Sequence, residues 1–94
     1  MSKKRVLSFI ANFDKAQDTF LNGCCYWFAF ILQARFNGRI YYDQVQNHFA
    51  AKICGRFYDV TGEISGDGFV PWDTYQSYDA LDYSRVVRYC IDKL

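Results

Sequence analysis

The segment from Asn22 to Gly38, NGCCYWFAFILQARFNG, constrains the fold more than any other part of the chain. Asn22 is a good helix N-cap, and Gly23 is tolerated in a first turn. Cys25, Phe28, Ala29, Leu32 and Phe36 then recur at helical spacing and form one stripe. Asn37-Gly38 closes the helix, because both residues tolerate the left-handed conformation. The other faces are also apolar as far as Gln33, so the helix must be buried on most sides. Such a helix needs a second layer to pack on.

The rest of the chain supplies that layer. RIYYD (39–43), NHFAAKI (47–53) and RFYDV (56–60) are aromatic or β-branched and read as three strands. An N-terminal helix, or two short ones, is expected over Lys4 to Thr19, with Val6, Phe9, Ile10 and Phe13 on one face. A C-terminal helix is expected from Asp82 onward, with Tyr83, Val86, Val87, Cys90 and Leu94 inward. Ninety-four residues make one domain, 1–94, and not two. With 51% apolar and 20% aromatic residues the chain can fill one core unaided. The expected class is α+β: a Cys-bearing helix on a small antiparallel sheet of about three strands, flanked by terminal helices.

Charge and cysteine usage limit the partners. Eleven basic and ten acidic side chains give a net charge of +1. No basic patch offers direct contact to nucleic acid, and Lys3-Lys4-Arg5 reads as a solvated end. VLSFIANF is too short and polar for a secretory signal, and no apolar run is long enough to span a membrane. Cys24, Cys25, Cys54 and Cys90 then read as reduced thiols of a cytoplasmic protein.

Cys54-Gly55 suits a two-residue hairpin turn. Residue 53 then faces 56, Ala50 faces Asp59, and His48 faces Thr61. Side chains repeat every two residues along a strand, so Asp59 and His48 share a face as diagonal neighbours, about 5–8 Å apart between Cβ atoms. The chain thus offers a cysteine in the first turn of a buried helix, its only histidine on a following strand, and an aspartate placed to hold that histidine. A helix N-terminus favours the reactive thiolate. A histidine can exchange the proton, an aspartate fixes its tautomer, and backbone N–H groups at the same helix end can hold an oxyanion.

At these residues the sequence resembles a known group. GCCYWFA (23–29) is similar to the nucleophile motif of papain-like and transglutaminase-like cysteine enzymes: Gly, any residue, Cys, two residues, an aromatic, Ala. NHFAAKICGRFYDVTG (47–62) resembles their second half, with His opening a strand and Asp on the next. The same pattern is similar to short uncharacterised proteins of phages and gut bacteria. The resemblance covers roughly 40 residues. It implies a minimal papain-like core, with Cys25 as nucleophile, His48 as base and Asp59 as orienting acid. It also implies a polar oxyanion side chain upstream, for which Gln17 and Asn22 are candidates. The implied activity is a thiol-dependent amidohydrolase or acyltransferase on a protein or peptide, of the peptidase, deamidase or transglutaminase type and needing no cofactor. The 23-residue Cys-to-His interval leaves almost no room for substrate-binding insertions.

Three other readings stand beside it. The fold could serve a phage-type inhibitor that binds a host defence protein, with the triad non-essential. Cys24, Cys25, His48 and Cys54 are zinc-ligand types, but adjacent cysteines on a helix and the absence of a C-x-x-C pair argue against a metal site. Cys24 and Cys90 have a sufficient reading as small buried apolar residues. In the Gly/Pro-containing stretch GDGFVPWDTYQSYD (66–79), Phe69, Trp72 and Tyr75 are candidates to bind a substrate or partner, or to complete the core as a flap.

Overall fold

The computed structural model describes residues 3–12 and 26–91, without the side chains of 89 and 90. Helix α1 (Lys3–Asn12) and helix α2 (Tyr26–Phe36) precede the sheet. Strands β1 (Arg39–Asp43), β2 (His48–Ile53), β3 (Arg56–Asp59), β4 (Gly62–Ile64) and β5 (Phe69–Pro71) follow. A 3₁₀ turn (Trp72–Thr74), α3 (Tyr75–Tyr78), α4 (Ala80–Val86) and one π turn (Val87–Ile91) end the described chain. The class is α+β, with an antiparallel sheet in the order β4-β3-β2-β1-β5.

Local chemistry explains the main boundaries. Helix α2 ends in the expected way: Asn37 is left-handed at φ 57°, and the Gly38 amide donates back to Gln33 O at 3.1 Å. Helix α4 begins two residues before Asp82, at Ala80, because the Asp79 carboxylate accepts from the Asp82 amide and caps it. The Cys54-Gly55 turn has both residues at positive φ, 50° and 83°, the requirement of a type I′ hairpin. Strand β2 opens at His48, not Asn47, because Asn47 is left-handed at φ 53° and closes the preceding turn. Strand β3 stops at Asp59.

Among the described residues five strands replace the three expected. β4 and β5 are three residues each, too short to carry a period in sequence. The irregular stretch 66–79 contains β5, the 3₁₀ turn and α3. Pro71 is tolerated because β5 is an edge strand, where a missing N–H leaves no neighbour unpaired.

The two faces of the sheet differ. Phe49, Ala51 and Ile53 of β2, Ile40 and Tyr42 of β1 and Tyr58 of β3 face the helices. Val6 and Ile10 of α1 pack with Phe28, Leu32 and Phe36 of α2 against Ala51, Ile53, Tyr58 and Val60. Ala29 packs with Ile40, Tyr42, Phe49, Trp72, Tyr75 and Val86. The alternate residues, Tyr41, Asp43, His48, Ala50, Lys52, Phe57, Asp59 and Phe69, point the other way. That second face curls inward. Phe57 and Phe69 stand on strands three places apart, about 14 Å in a flat sheet. Their ring centroids are nevertheless 5.7 Å apart. The chain crosses this concave face between Ile64 and Phe69, from one sheet edge to the other. Gly66 permits the crossing, since a Cβ there would lie 2.3 Å from the Phe57 ring.

Candidate functional site

The site begins with the hairpin. Ile53 pairs with Arg56, Lys52 with Phe57 and Ala51 with Tyr58, the register that the two-residue turn requires. Asp59 thereby falls beside His48 on the concave face. His48 Nε2 lies 2.7 Å from Asp59 Oδ2. The other carboxylate oxygen, Oδ1, accepts from the Thr61 amide at 2.8 Å and the Thr61 hydroxyl at 2.5 Å. Asp59 therefore closes the β3–β4 turn with one oxygen and holds the imidazole with the other. Burial, with 7% of the residue exposed, would by itself raise the Asp59 carboxyl. The hydrogen bonds from His48 and Thr61 outweigh burial and hold it below the usual carboxylate value.

The turn in front of His48 is braced from within. Asp43 pairs with His48 across β1 and β2, is 3% exposed, and accepts from the amides of Val45 and Gln46. The imidazole also meets the edge of the Phe69 ring at 6.2 Å. A cleft of about 380 Å³ opens beside the pair, lined by Gln46, His48, Asp59, Ile64, Ser65, Asp67 and Phe69. Its walls come from the 44–47 turn and the Ile64–Phe69 crossing.

Helix α2 covers the opposite face, yet its first described residue arrives at the His48 end of β2. Tyr26 packs edge-on against Phe49 at 5.2 Å, one residue from His48. Cys25, Cys24, Asn22 and Gln17 lie outside the described residues, as does the side chain of Cys90.

Two of the three expected binding aromatics are core residues. Trp72 is 7% exposed and Tyr75 fully buried, stacked on each other with ring centroids 5.5 Å apart. The sheet edge and α4 close over them, and their loop-like sequence carried no period to mark them as interior. Phe69 alone of the three borders the cleft. Gln46 and Asp67, which also line it, were not singled out in sequence; each is an exposed turn residue without a motif. His48 and Cys54 stand at opposite ends of β2, roughly 20 Å apart by strand rise, so one ion cannot take both. Among the described residues no cluster of three metal-ligating side chains occurs.

Among the described residues no helix is long and apolar enough to cross a membrane. No curated protein and no solved structure is significantly similar to the chain. The family model of the phage YunG-like proteins matches residues 6–87, which include His48, Asp59 and the cleft between them. A match over that much of the sequence establishes that this chain belongs to the phage YunG-like protein family.

Proposed function

We propose that the protein is a thiol-dependent amidohydrolase or acyltransferase on a minimal papain-like or transglutaminase-like core, acting on a protein or peptide in the cytoplasm. The observation that carries this reading is the His48–Asp59 pair, 2.7 Å apart, at the strand end that the α2 N-terminus reaches. Asp59 engages Nε2, so the neutral ring holds its proton there and Nδ1 is the basic nitrogen. On this reading Cys25, the residue before Tyr26 in sequence, is the thiol that works with Nδ1. Nδ1 takes the thiol proton, Sγ attacks the acyl carbon, and the imidazolium returns the proton to the leaving amine. Water or a second amine then displaces Sγ from the acyl group. Amides at the start of α2, with Asn22 or Gln17, receive the oxyanion.

The test is the pH profile of Cys25 alkylation, followed by mass mapping against the other three cysteines. The expected thiol pKa lies well below the ordinary ~8.5 and returns toward it in His48→Ala. An ordinary profile in the native protein overturns the reading.

A second reading is favoured by membership in a phage protein family. On it, the chain binds and inhibits a host defence protein and the triad is not needed. Exposed Val45, Tyr78 and Leu81 supply apolar contact points. Full biological effect from Cys25→Ala would select this reading over the first.

A further inference from the structure

A chain of polar contacts runs from helix α4 to the residue before His48, and the proposed reaction does not use it. Tyr75 donates to Asp82 Oδ2 at 2.5 Å, and Arg85 Nε donates to Asp82 Oδ1 at 2.7 Å. Arg85 Nη2 reaches the Tyr42 hydroxyl at 3.3 Å and Asn47 Oδ1 at 3.5 Å. The Tyr42 hydroxyl donates to the same Asn47 oxygen at 2.5 Å. Donors and acceptors match at every step: the arginine can only donate, which leaves the Tyr42 proton for Asn47. Tyr75 at one end and Tyr42 next to the other are fully buried, so the path is anchored in the core.

The path ends on a residue in the left-handed region. Among the described residues Asn47 is one of three non-glycine residues with positive φ, the others being Asn37 and Cys54. Those two close a helix and a hairpin. Asn47 sets the direction in which the chain enters β2, and so where the His48 imidazole stands. Its carboxamide, held by Tyr42 and Arg85, ties that backbone direction to the core.

We propose that Asn47 and Arg85 are positioning residues that fix the His48 imidazole against Asp59, with Tyr42 and Asp82 as the links between them. The consequence for catalysis rests on the reading of His48 as the proton carrier; the positioning itself does not.

The chain has one histidine, so its imidazole resonances report His48 without ambiguity. The experiment follows the imidazole ¹⁵N shifts and titration, together with Cys25 alkylation, in Asn47→Gly, Asn47→Asp, Arg85→Gln, Arg85→Lys and Asp59→Asn. Glycine adopts the left-handed backbone without strain, so Asn47→Gly keeps the fold while removing the carboxamide. In Asn47→Gly and Arg85→Gln the expected titration midpoint moves toward that of Asp59→Asn. Cys25 alkylation at neutral pH falls on the order of tenfold, as displacement of a reacting group does. Asn47→Asp keeps the acceptor oxygen but adds a carboxylate beside the ring, so its midpoint moves up, opposite to Asn47→Gly, and Arg85→Lys restores the native shifts in part. A merely structural role would change unfolding temperature and leave the imidazole shifts in place.

The proposal is overturned if Asp59→Asn moves the midpoint while folded Asn47→Gly and Arg85→Gln do not. If the network variants move it but Cys25 alkylates as an ordinary thiol in the native protein, positioning stands and the catalytic reading fails.

Discussion

Asp59 serves two neighbours at once: Oδ2 holds His48 Nε2 at 2.7 Å while Oδ1 takes both the amide and the hydroxyl of Thr61. A turn motif and a side-chain pair thus share one carboxylate. The turn holds the carboxylate through Oδ1 independently of the imidazole on Oδ2.

This makes the acid limb of stability depend on Asp59. Its folded-state pKa lies below the unfolded value, because hydrogen bonds from His48 and Thr61 outweigh burial. The stabilisation is therefore complete above the unfolded carboxylate pKa, and it is lost as pH falls through the lower folded value. Asp59→Asn should destabilise the protein by about 2 kcal/mol near neutrality and flatten the acid limb. Urea unfolding across the acid range checks both, and an acid limb as steep as the native one would count against the assignment. The same substitution should lower the His48 titration midpoint, since a carboxylate beside an imidazolium is lost. Among the described residues Asp43, across the strand pair, and Asp67, on the cleft rim, are the other carboxylates near that ring and keep some of the effect.

The hairpin turn should respond to substitution according to its dihedral angles. Gly55→Val places a β-branched residue at φ 83° and should cost about 1–2 kcal/mol. Cys54→Asn, which makes the favoured Asn-Gly pair, should be neutral or stabilising by a few tenths of a kcal/mol. Thermal unfolding of the two variants measures the difference. Equal effects would mean that the turn does not control the register.

Gly66 should be specific to its neighbour. Gly66→Ala pushes a methyl group into the Phe57 ring and should cost about 1–3 kcal/mol. In a Phe57→Leu background the same change should cost clearly less, because the ring it meets is gone. A double-mutant cycle in urea gives the coupling, and strict additivity would refute the close crossing.

Trp72 and Tyr75 should behave as core residues. Alanine at either position should lose about 3–5 kcal/mol, whereas Tyr75→Phe should lose only about 1 kcal/mol, with its bond to Asp82. Unfolding free energies distinguish these outcomes. A Trp72→Ala variant of native stability would return the residue to the list of binding positions.

Local chemistry made much of this legible in one dimension. Apolar residues at helical spacing between Asn22 and Asn37-Gly38 placed the buried helix, and its C-terminal cap is present as read. Cys54-Gly55 determined the hairpin, and through its register the meeting of Asp59 with His48, because a two-residue turn leaves no choice of pairing. Strands β4 and β5 were not legible, since three residues carry no period. For Trp72 and Tyr75 the sequence left binding and core completion open, because their burial comes from β1, β2 and α4, which are distant in sequence. The curl of the sheet, the crossing over its concave face, and the path from Arg85 to Asn47 depend on how elements far apart in the chain close on one another. The sequence by itself determined which residues pair across the hairpin; only the tertiary structure decided that the face of His48 and Asp59 is concave and crossed by the Ile64–Phe69 segment, because that depends on how strands distant in sequence close on one another.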